Sequence, residues 1–172
     1  MSTKSQLLKE WQEHCLMVQQ ATTSKLGESQ KDVEDRIERA RKDYSYFVDY
    51  YFPHYAESKT AKFQIKAANK VLKTKNIRAL FEWARGHAKS THFTIFIPMW
   101  LMIQKERQIN VMVLVGKSEE SASKLLGDLQ AEFQYNQRYI NDFGKQYNHG
   151  AWEEGKFVTK SGVACFALGR GQ

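Results

Sequence analysis

Trp83-Ala84-Arg85-Gly86-His87-Ala88-Lys89-Ser90-Thr91 sets a Lys-Ser-Thr triplet where a β-prone run gives way to an apolar one. Upstream, Ile77, Ala79, Leu80 and Phe81 predict a strand over 77–83. Downstream, Phe93 to Ile103 predicts a helix over 90–104, which Pro98 is placed to kink. Strand, loop, Lys-Ser/Thr and helix is the context of a phosphate-binding loop, whose backbone N–H groups and helix N-terminus cradle an anion. The regular pattern is G-x-x-x-x-G-K-[ST]. Here Trp83 stands at the first glycine position and Ala88 at the second.

In such a loop the Lys89 ammonium reaches the β- and γ-phosphates of ATP, and the Ser90 hydroxyl completes the shell of Mg²⁺. Thr91 starts the helix. Gly86 supplies backbone freedom, and His87 contributes its backbone. Ala88 requires a compatible φ. Arg85 is placed to meet the γ-phosphate or, alternatively, to form a surface ion pair.

The surrounding segments extend the pattern. Ile109 to Val115 is a continuous β-branched run, as in a buried parallel strand. Ser118, or alternatively Ser121, caps a helix running to about Tyr135, with Ala122, Leu125, Leu126, Leu129 and Phe133 on one face. The central chain thus reads β-α-β-α, the opening of a doubly wound α/β sheet. Residues 136–150 read as a polar loop. Strands follow near 156–159 and 163–168, joined by a turn at Ser161-Gly162. Before the loop, a helix over 59–75 carries Phe63-Gln64 about two dozen residues ahead of Lys89. A glutamine amide both donates and accepts, which suits the adenine edge.

Nearer the N-terminus, Leu7, Leu8, Trp11, Cys15 and Val18 predict a first helix over 1–22, and residues 21–29 a linker. A second helix is expected over 30–51. Val33, Ile37, Tyr44, Phe47, Val48 and Tyr51 form its apolar face, and Lys31, Asp32, Glu34, Asp35, Arg36, Glu38 and Arg39 a solvated, ion-paired face. Pro53 ends it. The aromatic run Tyr50 to Tyr55 reads as core packing rather than a stacking surface, and His54 as structural.

With 172 residues, 42% of them hydrophobic, the chain suffices for one domain. It lacks a run of the ~18 apolar residues a membrane span needs. Cys15 and Cys165 lie far apart without metal-ligand spacing and read as free thiols in a reducing compartment. The net charge of +7, with a cluster at Lys59, Lys62, Lys66, Lys70, Lys73, Lys75 and Arg78, fits either a polyanion partner or a solvated helix face.

Together these segments resemble the large terminase subunit of tailed bacteriophages, the DNA-packaging motor, over roughly residues 40–172. Ala84 to Thr91 resembles that family's deviant Walker A loop, with an arginine before the glycine. Phe63-Gln64 matches its adenine-recognition motif. Val111 to Val115 with Lys117 to Ala122 resembles its second strand and helix. Phe157 to Val163 with Ala167 to Gln172 resembles the segment before its Walker B strand.

The resemblance implies an α/β P-loop NTPase, RecA/ASCE-like, with a partly parallel sheet. N-terminal helices (1–55) would precede an incomplete ATPase core (56–172), truncated before Walker B and without the nuclease domain. It implies ATP on Gln64, Arg85, Gly86, His87, Ala88, Lys89, Ser90 and Thr91, Mg²⁺ at Ser90, and catalytic roles for Lys89 and Arg85. Implied partners are double-stranded DNA, a portal protein and a small terminase subunit, in a ring oligomer without a membrane. The implied location is the cytoplasm of the infected bacterial host. A chain lacking the Walker B acids is expected to bind nucleotide weakly and turn it over slowly or not at all. Two other readings remain open: a helicase-like nucleic-acid-dependent ATPase, and a non-catalytic DNA-binding module using the lysines of 59–75.

Overall fold

The structure is a computed structural model that describes residues 4–24, 27–55, 58–106 and 108–171. Parts of the expected first helix (1–3) and linker (25 and 26), the start of the expected core at Ala56, and Gln172 lie outside the described residues.

Helix α1 spans Lys4–Ala21, α2 Gln30–Lys42 and α3 Tyr44–Tyr51. The single helix expected over 30–51 is therefore two. Asp43 breaks it: its extended backbone ends α2, while its side chain accepts from the Tyr46 N–H and caps α3. Helix α3 ends at Tyr51, two residues before Pro53, as the proline requires. On α1 only part of the expected face packs. Cys15 and Val18 are buried, whereas Leu7, Leu8 and Trp11 remain exposed.

Helix α4 spans Lys62–Lys73. The next helix begins as α5 (Lys89–Thr91), widens to π geometry over His92–Phe96 and resumes as α6 (Ile97–Met102). The widening sits directly before Pro98, which has no N–H to give and whose ring would meet the carbonyl a turn back. The expected kink thus takes the form of a π segment.

Strand β1 (Val111–Gly116) leads into α7 (Glu119–Tyr135), capped by Ser118, whose hydroxyl accepts from the Ser121 N–H. Gly116 is needed there. A Cβ on it would lie 2.8 Å from the Ser118 carbonyl oxygen and 2.8 Å from Ser121 Oγ. The expected loop 136–150 contains a further helix, α8 (Gln137–Phe143), because Asn136 accepts from the Tyr139 N–H and starts a new turn. Strands β2 (Trp152–Glu153), β3 (Lys156–Val158) and β4 (Ala164–Gly169) complete a mixed sheet in the order β1-β4-β3-β2. β1 and β4 are parallel, with Val111 opposite Ala164 and Gly116 opposite Gly169; the other pairs are antiparallel. The chain is therefore α/β.

The strand expected over 77–83 is absent. Ile77 to Trp83 is irregular and joins no ladder. Its β-prone composition is not enough, because a strand needs a neighbour, and no described strand lies beside it. Phe81 and Trp83 instead pack on Phe93, at 4.8 and 5.4 Å between ring centres, while Leu80 is 84% exposed.

One apolar cluster joins the N-terminal helices to the sheet: Tyr44, Phe47, Tyr51 and Phe52 share it with Met99, Trp100, Leu126, Phe157 and Cys165. The aromatic run after α3 is largely core, as expected, with Tyr51 and Phe52 fully buried. Polar ties cross the cluster. His54 Nε2 meets Glu132 Oε1 at 2.7 Å, and Asn136 donates to Glu132 and to the Tyr51 carbonyl. Arg36 is not on a solvated face. It is buried and grips Asp142 through two parallel bonds of 2.8 Å, with Glu28 on its third nitrogen and the Tyr51 hydroxyl donating to the same Asp142. Cys15 and Cys165 are free and buried; burial foremost pushes the Cys15 thiol up to about 11 and the Cys165 thiol up to about 12. Among the described residues no helix is long and apolar enough to cross a membrane.

Candidate phosphate-binding site

The loop 84–91 is built by two left-handed residues. Gly86 has φ +85° and Ala88 has φ +52° with ψ +29°. Arg85 and Gly86 form a tight turn in which the His87 N–H donates to the Ala84 carbonyl at 3.3 Å. Positive φ at residues 86 and 88, with His87 between them outside the left-handed region, is the kind of alternation from which anion-binding concavities of backbone N–H groups are built. The compatible φ required at Ala88 is not what the backbone adopts: φ +52° lies in the left-handed region. An alanine takes the left-handed region there, at a cost of roughly 1–2 kcal/mol. The helix then starts at Lys89, so its unpaired N–H groups follow directly on the turn.

All residues from Ala84 to Ser90 are exposed and Thr91 is half-buried. Among the described residues, neither Lys89 nor Arg85 joins an ion pair, so the alternative reading of Arg85 as a surface salt bridge finds no partner. Ser90 gives its carbonyl to the Thr94 hydroxyl at 2.8 Å, which leaves its own hydroxyl at the helix start.

Gln64 lies against the loop. Its Oε1 accepts from the Ala61 N–H at 2.7 Å, closing the first turn of α4, and its Nε2 donates to the His87 carbonyl at 3.1 Å. The residue before it, Phe63, packs on Trp83 and on His87, at 5.1 and 5.3 Å between ring centres. A cavity of about 90 Å³ lies between these elements, lined by Gln64, Ala88, Thr91, His92, Tyr55 and Val48 among others. Each sequence-predicted residue from Arg85 to Thr91 is thus in one turn-and-helix unit, and Gln64 is bonded to it.

Two residues beside this unit carry no signal in the sequence pattern. His92 is buried at the head of the π segment, with Nδ1 2.7 Å from the Tyr44 hydroxyl, and burial drives its imidazole down to about 4. Thr94 anchors the Ser90 carbonyl. The only sequence cue to either is that polar residues stand within an otherwise apolar helical run.

The donor set suits a phosphate: backbone N–H groups, an exposed ammonium and an exposed guanidinium. For Mg²⁺ the loop offers the Ser90 hydroxyl. Among the described residues, no group of three His, Cys, Asp or Glu side chains is arranged to hold a metal ion. No protein-family model matches the chain, and neither a curated protein nor a solved structure matches it.

Proposed function

We propose that the 84–91 loop holds the phosphates of ATP and that this chain forms the nucleotide-holding part of a viral DNA-packaging ATPase of the large terminase type. The observation that carries the reading is the loop itself: left-handed Gly86 and Ala88 lead into a helix whose first residues are Lys89, Ser90 and Thr91. Its supports are the bond from Gln64 to the loop backbone and the α/β setting with a parallel β1–β4 pair.

In this reading the loop N–H groups and Lys89 neutralise the β- and γ-phosphates. Ser90 supplies an oxygen to the accompanying Mg²⁺. Arg85, free on the turn, approaches the γ-phosphate and stabilises charge there. Gln64 fixes the distance between α4 and the loop, and its remaining amide hydrogen and lone pair are available to an adenine edge. Coupling to duplex DNA, a portal protein, a small terminase subunit and ring assembly belongs to the same proposal.

Titration of the protein with a fluorescent ATP analogue tests it. Wild-type binding is expected to strengthen with Mg²⁺. Lys89→Ala should weaken it by tenfold or more, and Ser90→Ala should remove most of the Mg²⁺ dependence. Equal binding by wild type and Lys89→Ala would refute the assignment.

A further inference from the structure

The chain's positive charge is segregated. Residues 58–81 contain seven basic residues and no acidic one, and the other nineteen basic residues are matched by nineteen acidic ones, so this segment accounts for the whole net charge of +7. The structure gives the segment a shape. Lys62, Lys66, Lys70 and Lys73 lie on α4, all exposed. At 3.6 residues per turn they fall within an arc of about 80° and span about 16 Å of helix axis. The opposite face is committed to the protein through buried Gln64, Ala67 and Ala68.

Among the described residues the ion pairs lie elsewhere, on Lys9, Arg36, Arg41, His54 and Lys105. A solvated helix face is usually laced with opposite charges; this one is not. Four unpaired ammonium groups at intervals of one helical turn repel one another, a cost that a row of phosphates reverses.

We infer that the α4 lysine stripe grips the phosphate backbone of duplex DNA without reading its sequence. A row of point charges about 4.5–6 Å apart falls near every second phosphate of a strand that carries one per ~3.4 Å of axis. An anionic membrane fits less well, because a surface helix binds lipid through its apolar face, and here that face is buried in the core. The inference takes duplex as partner from the proposed function but does not depend on the nucleotide loop.

The test is fluorescence anisotropy with a mixed-sequence 30-base-pair duplex, without nucleotide, across 50–200 mM NaCl. Four contacts contribute about −3.6 to the slope of log K against log salt, or about a 150-fold loss over that range. The combined variant Lys62→Gln, Lys66→Gln, Lys70→Gln, Lys73→Gln should lose that much slope. Lys124→Gln, Lys145→Gln, Lys156→Gln, Lys160→Gln, equal in charge removed and also exposed, should retain it. Circular dichroism confirms that both fold. Equal losses in the two variants, no duplex binding by wild type, or binding only to phosphatidylserine vesicles would each overturn the inference. Duplex binding by a wild-type protein that fails to bind ATP would refute the loop assignment and leave this one standing.

Discussion

The Gln64 side-chain amide donates to the His87 carbonyl at 3.1 Å while accepting the Ala61 N–H at 2.7 Å. One side chain therefore caps α4 and tethers the loop. Gln64→Ala removes both bonds, each worth about 1 kcal/mol, and leaves buried polar groups to resolvate. The expected loss is about 2 kcal/mol in urea unfolding, with weaker ATP binding because the loop is no longer held. Gln64→Glu keeps an acceptor for Ala61 but sets a carboxylate against the His87 carbonyl. It should retain more stability than Gln64→Ala while binding ATP no better. If both variants bind like wild type, the tether has no role in the site.

Ala88 and Gly86 test the loop backbone separately from its chemistry. At Ala88, with φ +52°, glycine relieves left-handed strain of about 1–2 kcal/mol but gives back roughly 0.4–1 kcal/mol through the unfolded chain. Ala88→Gly should therefore be neutral to about 1.6 kcal/mol stabilising. Gly86→Ala should cost about 1–2 kcal/mol by conformation alone, since a Cβ there meets nothing within 4 Å. Denaturant midpoints at constant slope read both. A destabilising Ala88→Gly together with a neutral or stabilising Gly86→Ala would mean the alternating hand is not the working geometry.

How much of this was legible in the chain divides along physical lines. The loop, the helix after it, the existence of β1, α7 and the final hairpin are local statements: periodicity, a Ser118 cap, and a turn closed at Gly162, with φ +87°. The burial expected of β1 is not found, since Val111, Val113 and Val115 are exposed. What failed depended on partners. Residues 77–83 have the composition of a strand and no described neighbour to pair with. Arg36 sits among alternating charges, and only the tertiary approach of Asp142, over a hundred residues away, buries it. The break at Asp43 and the helix starting at Asn136 were readable in principle. Both are capping residues inside segments whose overall pattern, apolar or polar, masked them.

The Arg36–Asp142 pair predicts a large deletion effect. Asp142→Ala leaves a buried guanidinium short of its bidentate partner, and the expected cost is about 3–5 kcal/mol. Burial by itself would raise the Asp142 carboxyl, but the bonds from Arg36, Tyr51 and Asn141 hold it below its ordinary value. A depressed carboxyl stabilises the fold above the unfolded value near pH 4, and that contribution is lost as pH falls through the folded value. Asp142→Asn should flatten this limb below pH 4 in a plot of unfolding midpoint against pH.

His92 acts in a higher window. Its imidazole, held neutral by burial, protonates at about 4 in the fold and near 6.5 when unfolded. The unfolded state therefore takes up the proton first, and stability falls as pH drops from about 6.5 to 4, by about 3 kcal/mol. His92→Gln should remove this dependence while leaving the Asp142 limb. An unchanged profile between pH 4 and 6.5 would mean His92 is protonated in the folded protein, against its bond to the Tyr44 hydroxyl serving a neutral ring.

Strand β1 predicts how the chain behaves in concentrated solution. It ends the described sheet, so its outer edge is unpaired, and Val111, Val113 and Val115 on one face are 58%, 47% and 67% exposed. Leu168, opposite Val115 on β4, is 42% exposed on the same face. An open edge beside an apolar face is a template for pairing with a second copy. Sedimentation velocity should show mass rising with concentration. Val113→Lys places a charge midway along the edge strand, disfavouring a second strand without touching Met112 or Leu114, which face the other way. It should shift the distribution toward monomer by severalfold at a given concentration and leave the unfolding midpoint within about 0.5 kcal/mol, as for a surface change. A wild-type chain that stays monomeric at high concentration would show that this edge is protected in solution.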